Sequence, residues 1–114
     1  MQLEPADLGC LHDMIAYAEE AIAFLGDRDA ETLREDRRTL LAVCCCVEIV
    51  GEAGWRVSAL VKEANPSIPW SLIAGMRHRL AHDYGRVDPL IVHRVVTHDL
   101  LALIEALRAL EGAV

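Results

Sequence analysis

In the stretch LLAVCCCVEIVGEAGW, residues 40–55, apolar side chains cover nearly the whole circumference of a helix. This stretch predicts a buried central helix from about Asp36 to Ala64. Gly51 and Gly54 permit close approach of another helix, at a helix-propensity cost of about 1 kcal/mol each. Pro66 ends the helix, because proline lacks the amide hydrogen that a helix needs.

Three further helices follow from the spacing of apolar residues and from the turn residues between them. They are expected at about Pro5–Leu25, Pro69–Tyr84 and Pro89–Leu110, and Asp88 is the predicted N-cap of the last one. Asp29 can cap a short helical piece in the polar segment after the first helix. The sequence therefore predicts one all-α domain over residues 1–114, an antiparallel up-and-down bundle of four main helices with a short fifth.

Composition narrows the classes of protein to consider. The chain is 54% hydrophobic but only 4% aromatic, and its net charge is −7, which argues against a non-specific binder of duplex nucleic acid. No basic segment followed by an apolar run opens it, and no run of 18 apolar residues occurs, so we expect a cytoplasmic protein without a membrane span. The four cysteines lack the paired spacing of a zinc site and are expected to be small buried hydrophobes.

The charge is unevenly distributed along the chain. Nine acidic residues and two arginines lie between Asp7 and Asp36, whereas four arginines and three histidines accompany two aspartates between Arg77 and Arg94. The densest part is GMRHRLAHDYG, residues 75–85. A local basic field can therefore coexist with an acidic whole.

On a helical projection, part of this stretch faces the core and part does not. Ile73, Met76, Leu80 and Tyr84 share one arc, which also contains Arg77. His78 and His82 lie one turn apart on a different face. Arg77 and His82 are therefore not neighbours on a straight helix. A bent arginine side chain, a distorted helix or a second subunit would be needed to bring them together.

Each of these residues also has an ordinary structural interpretation. Arg77 at a core edge can form an ion pair with Glu48 or Glu52. Alternatively, Glu48 and Glu52 form a solvated stripe, in which Glu52 pairs with Arg56 one turn along the same helix. The i,i+4 spacing of His78 and His82 permits a metal pair, but without a third ligand it is weak evidence for one. His82 can be a surface histidine, and Tyr84 a core tyrosine with its hydroxyl at the rim.

Three segments together resemble the HepT-like branch of the HEPN superfamily: IVGEAG at 49–54, IPWSLIAGMRHRLAHDY at 68–84 and VDPLIV at 87–92. The pattern Arg-x4-His-x-Tyr of that branch falls on Arg77, His82 and Tyr84. The resemblance extends from about Asp36 to Leu107. One position departs from the pattern, because His78 stands where the family usually has asparagine.

The resemblance implies a helical homodimer that acts as a metal-independent endoribonuclease and needs no cofactor. Such proteins are toxins of two-gene toxin–antitoxin systems. Their partner is a small nucleotidyltransferase that transfers AMP to the motif tyrosine, here Tyr84. Arg77 and His82 are then the expected catalytic residues, and the supporting or RNA-binding residues are His78, Arg79 and Arg86.

Two other hypotheses remain open from the sequence. The bundle can be a catalytically inert scaffold for the nucleotidyltransferase, with the motif kept for folding. It can also be a structural helical dimer without any role in nucleic-acid binding. RNA cleavage that is lost on changing His82 separates the first alternative from an enzyme, and a basic potential around Arg77, Arg79 and Arg86 argues against the second.

Overall fold

The computed structural model describes residues 3–82 and 87–112, except for the side chains of residues 77–82. These residues are helical, with no strand among them. The helices are α1 (Pro5–Leu25), α2 (Ala30–Glu35), α3 (Arg37–Arg56), α4 (Ala59–Ala64), α5 (Trp70–His82), α6 (Pro89–Arg94) and α7 (Leu100–Gly112), with a π-helical segment, Val95–Asp99, between α6 and α7. No helix in this described part is long and apolar enough to cross a membrane.

The first helix has the predicted bounds and the predicted buried stripe. Leu11, Ile15, Ala18 and Leu25 are buried. Gly26 ends the helix at a φ of 57°, a backbone conformation that L side chains rarely adopt. The predicted cap of the short helix is also confirmed, since Asp29 Oδ1 accepts a hydrogen bond from Thr32 N at 2.8 Å.

The long central helix differs from the prediction, because it breaks at Val57 and Ser58 into α3 and α4. The buried carboxylate of Asp7 in α1 accepts hydrogen bonds from Ser58 N at 2.8 Å and from Ser58 Oγ at 2.7 Å. Ser58 Oγ also accepts from Val61 N and so caps α4. A contact 51 residues away in sequence thus ends α3 before Pro66 is reached.

Helix α3 is not covered on all sides, so the prediction that it is buried all round is wrong, whereas a solvated stripe at Glu48 and Glu52 fits the structure. One stripe remains at the surface, with Leu41, Cys45 and Trp55 exposed and Glu48 and Glu52 half-buried. α3 packs against α1 and α5, and these two helices cover only its other faces. The cysteine prediction is accordingly right for Cys44 and Cys46, wrong for the exposed Cys45, and only partly right for the half-buried Cys10.

Helix α5 packs against α3 and runs antiparallel to it, as follows from the contact near the start of α5 and from the position of the next helix, α6. Ile73, near its start, lies against Gly54 at the C-terminal end of α3. The following helix, α6, lies at the other end of α3, where His93 Nε2 is 3.1 Å from Arg28 O and Arg28 Nε donates to Asp36 Oδ2 at 3.2 Å. Asp36 is the N-cap of α3. Helix α5 therefore returns from the C-terminal end of α3 toward its N-terminal end.

The C-terminal helix begins as predicted but is not regular throughout. Asp88 Oδ1 accepts from Leu90 N at 2.9 Å, and Pro89 occupies the first turn. The run then continues without a break through the π-helical segment, where Thr97 Oγ1 donates to His93 O at 2.8 Å. A π-helical turn carries one extra residue relative to an α-helix, and nothing in the apolar spacing indicated it.

We expect Gly54→Ala to destabilise the protein. A Cβ at this position would lie 2.6 Å from Ile73 Cγ2, so Ile73 would have to shift and α5 to move away from α3. Met14 Cε, at 3.2 Å, would also have to give way slightly. Overpacking of this kind costs about 1–3 kcal/mol. Chemical denaturation measures the change in the free energy of unfolding.

Gly9→Ala is the matched control. Gly9 also lies inside a helix, but an added Cβ there has nothing within 4 Å. The better helix propensity of alanine should therefore stabilise this variant by up to about 1 kcal/mol. Equal stability of the two variants would show that the close approach at Gly54 does not constrain the bundle.

Candidate functional site

The predicted motif lies on α5, and the structure describes its backbone only in part. Residues 77, 78, 79 and 82 belong to the helix Trp70–His82, but nothing is described of their side chains. Tyr84 and Arg86 lie outside the described residues, as does the predicted end of the helix at Gly85. The core arc is confirmed where it is described, since Ile73 and Met76 are buried.

The antiparallel register places the motif positions along α3. Ile73 is level with Gly54, and each residue advances about 1.5 Å along a helix axis. Position 77 is then level with residues 50 and 51 of α3, and position 82 with residue 45. The half-buried carboxylates of Glu48 and Glu52 thus lie on either side of the level of Arg77.

Glu52 forms the ion pair within its own helix that the sequence suggested. Its Oε1 accepts from Arg56 Nε at 3.1 Å, at the surface of α3. This pair does not decide between the two interpretations, because one carboxylate can accept several hydrogen bonds. An ion pair of Glu48 or Glu52 with Arg77 stays a prediction, to which the register adds the axial proximity.

A cavity of about 240 Å³ lies on another side of α5, between that helix and α7. Its walls are mainly apolar and include Leu72, Ile73 and Met76 of α5 together with Ala102 and Leu103 of α7. Among the described residues of its lining, Ser67 and Asp99 are the polar ones. The described part of this lining therefore offers no convergent set of groups for chemistry.

The described cysteines and acidic residues offer little for covalent or metal chemistry. Burial raises the pKa of the Cys44 and Cys46 thiols to about 11, so both stay protonated and unreactive near neutral pH. In the described part of the chain, no three His, Cys, Asp or Glu residues come together in a group that could hold a metal ion.

Sequence reasoning missed one feature close to the motif helix, namely the exposure of Trp55. This residue is 57% exposed, whereas Trp70 is 8% exposed and its Nε1 donates to Asn65 O at 3.0 Å. A signal was present in the sequence. Residues 41, 45, 48, 52 and 55 follow one another at four- and three-residue steps, and the two glutamates among them mark this stripe as the solvent side.

Comparison with known proteins agrees with the resemblance seen in the motif segments. The family model described as "Ribonuclease HepT-like" matches residues 14–110. A protein of Methanocaldococcus jannaschii named "Putative RNase" is 33% identical over 90 residues, which are 79% of this chain and 78% of that protein. A protein of Thermococcus cleftensis named "Probable ribonuclease HepT" is 33% identical over 95 residues, 80% of this chain and 86% of its own length. No solved structure matches significantly. With its motif helix inside the matched region, the chain belongs to the ribonuclease HepT-like family.

Proposed function

We propose that this protein is a metal-independent endoribonuclease that acts as the toxin of a toxin–antitoxin pair in the cytoplasm. One observation carries the proposal: Arg77 and His82 lie on one continuous helix, inside the region that matches the ribonuclease HepT-like family. The names of the relatives support the reaction class.

The chemistry needs only the residue types of the motif. In RNA the 2′-hydroxyl is the nucleophile. His82 takes the proton of this hydroxyl as its oxygen attacks phosphorus. The bond between phosphorus and the 5′-oxygen breaks, the 5′-oxygen takes a proton from a second, protonated histidine or from water, and a 2′,3′-cyclic phosphate remains. Arg77 holds the phosphate through two parallel hydrogen bonds and stabilises the charge of the transition state. His78, Arg79 and Arg86 support RNA binding.

The spacing of the two catalytic residues favours a homodimer. Five residues on a helix correspond to about 7.5 Å along the axis and about 140° around it, so Arg77 and His82 start from different faces of α5. A second copy related by a twofold axis supplies another histidine and more positive charge at the same site. In each copy, α1, α3, α5 and the C-terminal run form the four main helices of an antiparallel bundle.

We also propose that a partner nucleotidyltransferase neutralises the enzyme by transferring AMP to Tyr84. Tyr84 lies two residues beyond His82 in the sequence. A nucleotidyl group there adds bulk and negative charge beside the phosphate site, and both oppose the binding of RNA.

We expect His82→Ala to lower RNA cleavage by about 10²–10⁴-fold, the usual contribution of a general acid or base, while leaving the fold intact. Arg77→Ala should also abolish cleavage and, because position 77 borders the core, lower the stability. Gel-based cleavage assays and circular dichroism measure the two effects.

Chelator should leave wild-type activity unchanged, whereas loss of activity with chelator and rescue by zinc or manganese would contradict the metal-free mechanism.

We expect the protein to sediment at micromolar concentration with twice the 12.6 kDa mass of one chain. The physical reason is that one copy of α5 presents Arg77 and His82 on different faces. Analytical ultracentrifugation measures the mass directly. An active monomer would show that one copy assembles the site by itself.

We expect Tyr84→Phe to cleave RNA at nearly the wild-type rate but to escape neutralisation, because it lacks the hydroxyl that receives AMP. Each form is incubated with the partner and ATP, and intact mass and cleavage are then measured. Addition of AMP to another residue, or full activity after modification of Tyr84, would contradict this prediction.

A further inference from the structure

Trp55 is an exposed aromatic residue that lies near the end of α3. The chain contains two tryptophans, and Trp55 exposes 57% of its surface at the C-terminal end of α3. Leu60, on α4 close by in sequence, is 69% exposed. An exposed indole ring presents an aromatic face on which an unpaired base can stack.

The face of α3 that carries Trp55 borders the motif helix. α1 covers the side of α3 that carries Cys46, since Glu20 of α1 lies near enough to help raise the pKa of that thiol. α5 packs beside it, since Ile73 of α5 lies against Gly54 of α3, and Trp55 is the next residue, about 100° around the helix from Gly54. Along the axis, Trp55 is about 15 Å from the level of position 82.

Two cationic side chains, Lys62 and Arg56, belong to the corner that Trp55 forms with the end of α3 and the start of α4. Lys62 Nζ donates to Trp55 O at 3.1 Å, and Arg56 is the next residue in the chain. Glu52 partly offsets the charge of Arg56 through their ion pair. The corner therefore offers an aromatic face with modest positive charge, which suits stacking of a base more than strong binding of a phosphate.

We infer that Trp55 is a stacking site for one unpaired base of a single-stranded RNA whose scissile phosphate lies at the motif of α5. The inference rests on the proposed function, because it requires RNA to be the substrate. A strand that passes along the α3–α5 boundary reaches Trp55 a few nucleotides from the cleaved bond. The stack contributes equally to the ground state and the transition state, since the ring lies away from the reacting atoms.

Steady-state cleavage of a single-stranded oligoribonucleotide tests the inference. Trp55→Ala should raise KM about tenfold with kcat nearly unchanged, in line with loss of one base–aromatic stack. Trp55→Phe should keep most of the affinity, and Leu60→Ala, at the same corner, should behave as wild type. Stacking depends little on salt, so the ratio of the KM values of Trp55→Ala and wild type should stay constant as salt is raised.

A binding measurement separates this inference from the proposed reaction. In the double variant Trp70→Phe, His82→Ala, Trp55 is the one remaining tryptophan, and a stacked base should quench its fluorescence. Cleavage by wild type with an unchanged KM in Trp55→Ala would overturn the inference and leave the ribonuclease intact. Absence of cleavage by wild type would overturn the proposed function, while absence of quenching would overturn the stacking site. A change in sedimentation without a change in KM would assign Trp55 to a protein contact instead.

Discussion

The close approach of three helices at Gly54 sets the distances between α1, α3 and α5 in the core. Without a side chain at this position, Ile73 of α5 and Met14 of α1 both reach the backbone of α3. Packing at this density leaves no room for a methyl group, so it fixes the register of α5 as well as its distance from α3. Because Arg77 follows Ile73 by one turn, the same contact determines where the motif begins.

Hydrogen bonds at the helix ends fix the positions of helices that apolar packing brings together. Asp7 ties α1 to the junction of α3 and α4, and Arg28 ties the end of α1 to Asp36 at the start of α3. The hydrogen bond between His93 and the Arg28 carbonyl then places α6 at that same end. These contacts join segments far apart in sequence, and each satisfies backbone or charged groups that a helix end leaves without partners.

The sequence predicted the fold well where the conformation depends on residues close together in the chain. The bounds of α1 and the caps at Asp29 and Asp88 depend on nearby residues, and all three are confirmed. The break at Ser58 depends on Asp7, 51 residues away, so no local pattern indicates it. The exposure of Cys45 and Trp55 follows the stripe that Glu48 and Glu52 mark in the sequence, although the apolar composition of α3 favoured burial. The motif residues could be named from the sequence, but their arrangement depends on tertiary contacts.

The acidic composition of the chain limits how the protein can bind RNA in its proposed function. With a net charge of −7, the protein repels RNA at long range, and affinity must come from short-range contacts near the motif. Arginines bunched between positions 77 and 94 supply charge locally, but Glu48 and Glu52 lie beside the level of Arg77 and reduce it. Stacking of a base on an aromatic ring is not weakened by this electrostatic repulsion, because it depends on contact area and not on net charge. An exposed tryptophan at the edge of the motif helix therefore suits an acidic protein that must hold a polyanion.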